Sequence, residues 1–422
     1  MTTPVSALQA ISCADDYDPN SMPVDRAREF IGRVLSPITD TERVAVRSAL
    51  DRVLGADIRA PFDVPGHDNS AMDGWAFRHC DLATTKAFRR VGTSYAGKPY
   101  LGPVGPGECV RIFTGAVMPP DCDTVAPQEK VRETDAGVEI GPEYKPGQNR
   151  RFAGEDLKAG DVALPRGRLI TPSALGLIAS LGIGEIDVYR KLRVAFFSTG
   201  DELRTIGTPL SPGEIYDSNR YTLWGLITRA GCEPIDLGNF VDTPEAIREA
   251  FGRAAACADV IITSGGVSVG EADFVKQILD ELGEVLFWKI AMKPGRPLAY
   301  GKVGKAHFFG LPGNPVAVVV TFYQFVRSAL AILQGRTDFA LPPTLRATLT
   351  NRVKKLPGRT EFQRGVLAAG ADGYEVRTTG DQGSGILSSM TEANCFIVLP
   401  SDTGNVEPGT IVDVQPFMGL IG

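Results

Sequence analysis

The sequence predicts a multidomain chain of α/β and β parts built around a doubly wound, mainly parallel sheet. Three observations predict it. At 422 residues the chain is too long for a single core. Between about 190 and 336, short apolar runs rich in β-branched and aromatic residues alternate with amphipathic helical patterns, the order that gives a parallel sheet covered by helices. On either side, prolines and glycines punctuate short apolar runs, the texture of β domains.

Residues 1–22 have no basic start and carry an acidic, polar stretch, so they read as a mobile tail rather than a signal peptide. Residues 23–54 and 148–189 read as a discontinuous N-terminal helical/β domain. Pro23 and Val24 open a helix with Ala27, Phe30, Ile31, Val34 and Leu35 at helical spacing. The later helix, TPSALGLIASLG, is capped by Thr171 with Pro172 at its first position. Residues 55–147, with runs such as CVRIFTGAV and GVEIGP, read as an inserted β-rich domain.

Residues 190–336 form the regular α/β part. Strand RVAFFST precedes helix NRYTLWGLITRAG, and strand EPIDLGNF precedes helix TPEAIREAFGRAAAC, where Asp242 and Glu245 are spaced as a capping box. Strand DVIITS leads to helix DFVKQILDELG; strands VLFWKIAM, LAYGKV and AHFFG precede a long helix, PVAVVVTFYQFVRSALAIL. Residues 343–422, after a proline-marked linker, read as a C-terminal β domain. No fixed-period repeat is present.

Composition is ordinary for a globular chain, 43% hydrophobic and 22% charged. The net charge of −6 and pI of about 5.4 argue against general attraction to nucleic acid or an acidic membrane, so an anionic ligand has to be held by local cations and backbone N–H groups. Seven scattered cysteines without a C-x-x-C pair read as reduced thiols, and the three histidines are too far apart for a local metal motif. No uninterrupted apolar run reaches the roughly 18 residues that span a bilayer. The expectation is a soluble, cytoplasmic protein.

Ligands of open parallel sheets collect at the carboxyl ends of the strands, so the loops that follow are informative. RVAFFST is followed by Gly200-Asp201-Glu202, IDLGNF by Asp242, VIITS by GGVSVGEAD, FWKIAM by KPGRP with Lys293 and Arg296, and AHFFG by the turn Pro312 to Pro315. Each carries glycine or proline plus a polar or charged group. The loop after VIITS uses three glycines, Gly265, Gly266 and Gly270, with Ser264 and Ser268 among them, before Glu271 and Asp273. Glycines let N–H groups turn toward a ligand at close range, as in phosphate-cradling loops. A helix N-terminus then favours an anion by about 0.3–1 kcal/mol at exposed sites. The plainer account is that Asp273 only caps that helix, worth about 1 kcal/mol, but a cap does not require the preceding glycines and serines.

A carboxylate beside a phosphate loop makes sense where a hard divalent cation bridges the two. Mg²⁺ takes one or two carboxylates and completes its shell with water and phosphate oxygens. Glu202, Asp242 and Asp273, at successive strand ends, supply such an arrangement. In KPGRP, Pro294 and Pro297 restrict the backbone, so Lys293 and Arg296 form either an oxyanion clamp or a solvated surface pair. The turn LPGNP offers shape and backbone donors. Residues 63–78, DVPGHDNSAMDGWAFR, combine turn formers with Asp68, Asn69, Ser70 and Asp73; an acidic turn is the plain account of them.

Together these stretches resemble the molybdopterin molybdenumtransferase family, the MoeA proteins and the E domain of gephyrin. The matching pieces are DVPGHDNSAMDGWAFR, RIFTGA, GEDL, FSTGDEL, IYDSNR, ITSGGVSVGEADF, KPGRPLAYG, GLPGNPVAV, EFQRGVL and GDQGSGILSSM, in the family's order from about Ser21 to the C-terminus. The resemblance implies a sheet domain of the molybdopterin-binding type, a C-terminal β-barrel-like domain and an elongated homodimer. It implies an active site where the sheet domain of one subunit meets the second domain of the other. It also implies an Mg²⁺-dependent reaction in which molybdate is inserted at the dithiolene of adenylylated molybdopterin, giving molybdenum cofactor and AMP.

Carried over by motif, Asp73, Thr114 and Asp156 are the catalytic contributions of the N-terminal half, and Glu202, Asp242 and Asp273 position Mg²⁺ and phosphate. Gly265 and Gly266 belong to the substrate loop. Ser268, Lys293, Arg296 and Pro297, with Arg364 and Ser384, resemble the molybdate-binding set, and Pro312 and Pro315 match the turn beside the pterin. Arg296 stands where the family's KPGKP has lysine, and Trp75 where tyrosine is common. Implied partners are adenylylated molybdopterin, a second copy of the chain, the upstream adenylyltransferase and downstream maturation factors of molybdoenzymes, with no nucleic acid and no membrane. The alternative readings are a molybdopterin adenylyltransferase, which needs only the sheet domain, and a gephyrin-like scaffold, which does not need the acids and cations at the strand ends.

Overall fold

The computed structural model describes residues 22–265, 278–279, 281–341 and 343–417. Gly266, Ser268, Gly270, Glu271 and Asp273 lie outside the described residues, as does most of the helix expected over DFVKQILDELG.

Helix α1 (Val24–Val34) buries Ala27, Phe30 and Ile31. Phe30 meets Trp288 edge-on at 5.0 Å, and Met22, Val24 and Leu35 join the same core. This places α1 on the central sheet rather than in the N-terminal domain, because its apolar stripe matches an uncovered sheet face. Met22 is likewise not tail: it is 1% exposed, and its N–H donates to the Lys289 carbonyl at 3.0 Å.

The N-terminal part pairs Thr41–Ala45 with Glu185–Tyr189, antiparallel. Helix α2 (Pro172–Ser180) packs Ala174 and Ile178 against Leu54, Ile58 and Val188. Thr171 caps it as expected, accepting from the Ala174 N–H. Between these segments lies a six-stranded sheet in the order 124–127, 74–77, 108–112, 87–94, 137–139, 132–134. The inserted stretch is therefore β-rich, as its proline- and glycine-punctuated texture indicates.

The central sheet contains β1 (Arg193–Thr199), β2 (Glu233–Phe240), β3 (Val260–Ser264), β4 (Gly283–Lys289), β5 (Pro297–Val303) and β6 (Ala306–Leu311). Their spatial order is β2-β1-β3-β6-β5-β4. The first four are parallel; β5 is antiparallel to both β6 and β4, so β4 again runs with the parallel set. Alternate side chains separate two cores. Val194, Phe196 and Ile262 face α1, helix α3 (Ser218–Arg229) and the long helix α5 (Pro315–Leu333). Ala195, Phe197 and Ile261 face helix α4 (Pro244–Cys257) with Ile278 and Leu279. The sheet is doubly wound because each face is apolar and each is covered by helices.

The cap of α4 differs from the expected box. Thr243, not Asp242, accepts from the Ala246 N–H, with Pro244 filling the first helical position, where no N–H is required. Asp242 is thereby left outside the helix. The helix α5 is 19 residues long and apolar enough to cross a membrane by length and composition, but 83% of its most apolar 18-residue stretch is buried inside the protein, so it is a core helix.

In the C-terminal part, Thr360–Gly370 pairs with both Gly373–Thr378 and Cys395–Leu399. Leu345–Leu349 and Ile411–Pro416 complete the ring, which closes as a barrel. A short strand, Met292–Lys293, joins this sheet from outside, placing Lys293 opposite Glu361.

Arg190 fastens the N-terminal part to the central sheet. Its guanidinium donates twice to Asp259, at 2.7 and 2.8 Å, and once to Asp40 at 3.0 Å. Burial alone would raise the Asp259 carboxyl; hydrogen bonds from Arg190 and the Arg193 N–H outweigh it and hold the carboxyl below its ordinary value. A depressed folded value means stability present above the unfolded carboxylate range and lost as pH falls through the folded value. Asp259→Asn should therefore cost about 1–3 kcal/mol at neutral pH, and the penalty should shrink toward pH 3 in urea melts recorded across pH.

Candidate functional site

The carboxyl ends of β1, β3, β6 and β4 open into a cleft of about 900 Å³. Its floor is the point where strand order reverses: the chain leaves β1 for β2 on one side and returns through α4 to β3 on the other. Parallel sheets place ligands in this crevice. Thr199 and Gly200 leave β1, and Ser264 and Gly265 leave β3, side by side. At Gly265, φ is +91° and a Cβ would lie 2.8 Å from the Thr199 carbonyl oxygen, so only glycine lets the two strand ends approach this closely.

Asn219, at the start of α3, ties the floor together. Its Nδ2 donates to Ser264 Oγ at 2.7 Å and to the Gly313 carbonyl at 2.6 Å, fixing the proline turn against β3. Pro312 and Pro315 bracket that turn, and Asn314 precedes the first turn of α5. Among the described residues, three buried polar atoms in the cleft wall, Thr199 Oγ1, Asp217 Oδ2 and Asn219 Oδ1, have no hydrogen-bond partner. Buried groups of this kind require a polar partner, from the protein, a ligand or ordered water.

Opposite the acids stands KPGRP. Gly295, at φ +95°, passes so close to α5 that a Cβ would meet Thr321 Oγ1 at 2.5 Å. The tight turn presents Lys293 and Arg296 to the same cleft as Glu202 and Asp242. Lys293 Nζ lies 3.6 Å from Glu361, which is buried in the barrel and takes a second bond, 2.8 Å, from Gln363 Nε2.

The barrel supplies the last wall, Asp381 to Ser384. Arg364, expected in the oxyanion-binding set, does not line the cleft. It is fully buried and donates to the carbonyls of Asp381, Gln382 and Gly383 at 3.0–3.2 Å and to Ser389 Oγ at 2.9 Å. Burial lowers its pKa. Its donors hold the loop that carries Ser384.

The cleft thus gathers Glu202, Asp242, Gly265, Lys293, Arg296, Pro297, Pro312, Pro315 and Ser384. Gly266, Ser268 and Asp273 lie outside the described residues. Asp73, Thr114 and Asp156 are not in this chain's cleft wall. Asp73 Oδ1 accepts from both the N–H and hydroxyl of Thr114 at 2.7 Å, which hold the carboxyl below its usual range. Asp156 lies on an exposed loop, its N–H bonded to the Val64 carbonyl at 3.0 Å. The acidic stretch is more than a turn: Asp63 and Asp68 accept from the N–H groups of Ala159 and Ala153 at 2.8 Å, joining it to the GEDL segment. Sequence reasoning gave no role to Asp217, Asn219 or Glu361; IYDSNR and EFQRGVL held the signal.

A cleft at a reversal of strand order, with acids facing cations, defines an α/β protein that binds an anionic small molecule. The comparisons specify the class. Residues 22–182 match the MoeA N-terminal region (domain I and II), 195–332 a probable molybdopterin binding domain and 346–417 the MoeA C-terminal region (domain IV). The molybdopterin molybdenumtransferase of Haemophilus influenzae is 46% identical over 94% of this chain and 99% of its own length; that of a Nostoc species is 37% identical over 86% and 85%. A crystal structure of the molybdopterin biosynthesis moeA protein of Pyrococcus horikoshii superposes with a TM-score of 0.82 at 29% identity, over 94% of this chain and all of that one. The chain belongs to the MoeA family of molybdopterin molybdenumtransferases.

If Arg364 works by holding its loop, Arg364→Lys should speed hydrogen exchange at 380–385 along with weakening oxyanion binding about tenfold or more, as loss of a charge-assisted hydrogen bond implies. Unchanged exchange with lost binding would instead place the side chain on the ligand.

Proposed function

We propose that this chain carries out the molybdenum-insertion step of molybdenum cofactor biosynthesis, taking adenylylated molybdopterin and molybdate to molybdenum cofactor and AMP. The observation that carries this reading is one cleft lined by Glu202 and Asp242 and by Lys293 and Arg296, with buried polar atoms that have no partner among the described residues. Such a site suits a ligand that brings both phosphate and a second oxyanion. Lys293, as a point charge, and Arg296, as a planar fork, would hold molybdate, with Ser384 from the barrel loop. Holding both reactants in one cleft gains from effective concentration. No covalent nucleophile is required.

The donor set fits Mg²⁺. Among the described residues no cluster of three or more acids, histidines or cysteines is placed to hold a metal unaided. A cation that takes one or two carboxylates and completes its shell with phosphate oxygens and water matches Glu202 and Asp242, with Asp273 as the further candidate. Bound there, Mg²⁺ would offset charge on the leaving phosphate. Glu202→Gln or Asp242→Asn should cut AMP release by a hundredfold or more, about 2.7 kcal/mol or above in the barrier, while thermal stability stays close to wild type. The reaction mixture of purified protein, adenylylated molybdopterin, Mg²⁺ and molybdate tests the whole reading. AMP should appear in step with pterin-bound molybdenum; formation of the adenylate from ATP and free molybdopterin instead would make it the adenylyltransferase.

We infer further that the chain works as a homodimer in which the partner supplies Asp73, Thr114 and Asp156. The support is that the Asp73–Thr114 pair is pre-formed yet absent from this chain's own cleft wall. Asp73→Asn and Asp242→Asn should each be inactive alone. Mixed and re-paired at random, two such chains leave roughly a quarter of sites intact, and activity should return to about that level. No recovery would mean that each site is built within one chain.

A further inference from the structure

The ladder that joins β3 to β6 ends at Ser264 and Leu311. One backbone bond continues past it, from the Gly265 N–H to the Leu311 carbonyl at 3.2 Å. Pro312 then offers no N–H, so the pairing cannot extend into the turn from that side. Yet the turn stays close: a Cβ placed on Gly313 would lie 3.8 Å from Gly265 Cα, ordinary contact distance. Gly265 and Gly313 both line the cleft.

Asn219 spans this gap from a third element. Helix α3 begins where buried Asp217 accepts from the Arg220 N–H at 3.2 Å and gives its own N–H to the Arg204 carbonyl at 3.0 Å. Leu223, Leu226 and Ile227 bury the helix in the core of the central sheet. From that fixed base, Asn219 Nδ2 donates to Ser264 Oγ at 2.7 Å and to the Gly313 carbonyl at 2.6 Å. A carbonyl oxygen only accepts, so the position needs a donor. An amide nitrogen carries two hydrogens and serves both partners; an aspartate carboxylate has none to give and a serine hydroxyl only one. The segment carrying Lys293 and Arg296 is fixed separately, by Gly295 against α5 and by Lys293 beside Glu361 of the barrel.

We propose that Asn219 is a positioning residue. It sets the separation between the Ser264–Gly265 strand end and the proline turn, and so shapes the part of the cleft that takes the phosphate-bearing substrate rather than molybdate. The inference rests on the reaction proposed above. Walls held in place before the ligand arrives spare the ordering that would otherwise consume affinity. Asn219 acts through the two segments it joins and need not touch the ligand.

Steady-state AMP release by the full chain, with adenylylated molybdopterin and molybdate varied separately, tests it. Asn219→Ala should raise KM for adenylylated molybdopterin about tenfold or more, the loss expected of two hydrogen bonds, and leave KM for molybdate unchanged. Ser264→Ala removes one of those bonds and should act in the same direction by less. It also carries the test if Asn219→Ala fails to fold. Added to Asn219→Ala it should cost nothing further, because the contact it removes is already gone. Equal rises in both KM values, or no rise in either, would overturn the inference. Additive effects of the two substitutions would overturn it too, since Asn219 would then meet the ligand directly. No AMP release from the unsubstituted chain would instead fail the reaction itself, and this inference with it.

Discussion

Lys293 and Glu361 stand opposite each other in one sheet, although the first belongs to the rim of the central domain and the second to the C-terminal barrel. The rest of the cleft depends on this shared pairing. Four residues after Lys293 the chain enters β5 of the central sheet, so the clamp turn is gripped at one end by each domain. A buried carboxylate within 3.6 Å of the ammonium gives that grip an electrostatic part, and Gln363 shares the charge of Glu361. The clamp's shape is therefore set by how the barrel sits on the sheet.

The barrel contributes to the cleft a second time through Arg364. A buried guanidinium needs most of its donors satisfied, and here the partners are consecutive carbonyls of one loop. That loop cannot move without stranding a buried charge. The result is a rigid wall beside Ser384, made from a residue that never reaches the cleft. Pre-positioned walls matter in electrostatic catalysis, where donors must already point at the place where charge develops.

The central sheet supplies the complementary half. Its strand ends approach closely because Gly265 has no Cβ, and the proline turn is pinned to β3 by one asparagine. Acids from two strand ends and cations from a third then share a space small enough for one ligand to touch both. The inserted domain holds its pre-ordered Asp73–Thr114 pair outside this chain's cleft wall.

The sequence by itself determined the sheet domain, the strand-end loops and the candidate acids and cations. Alternating apolar runs, helix caps such as Thr171 and glycine–proline punctuation are local signals, and local signals are legible along a chain. Tertiary structure decided what depends on long-range pairing. It moved α1 and Met22 onto the central sheet, because an apolar stripe does not say which sheet it will cover. It transferred the α4 cap from Asp242 to Thr243, a choice between neighbours that backbone geometry settles. It buried Arg364, expected in the oxyanion-binding set, against the carbonyls of 381–383, and it brought Glu361 beside Lys293 across 68 positions of chain. Charge type can be read from sequence; whether a charge meets solvent, ligand or another buried charge is fixed only when distant strands pair.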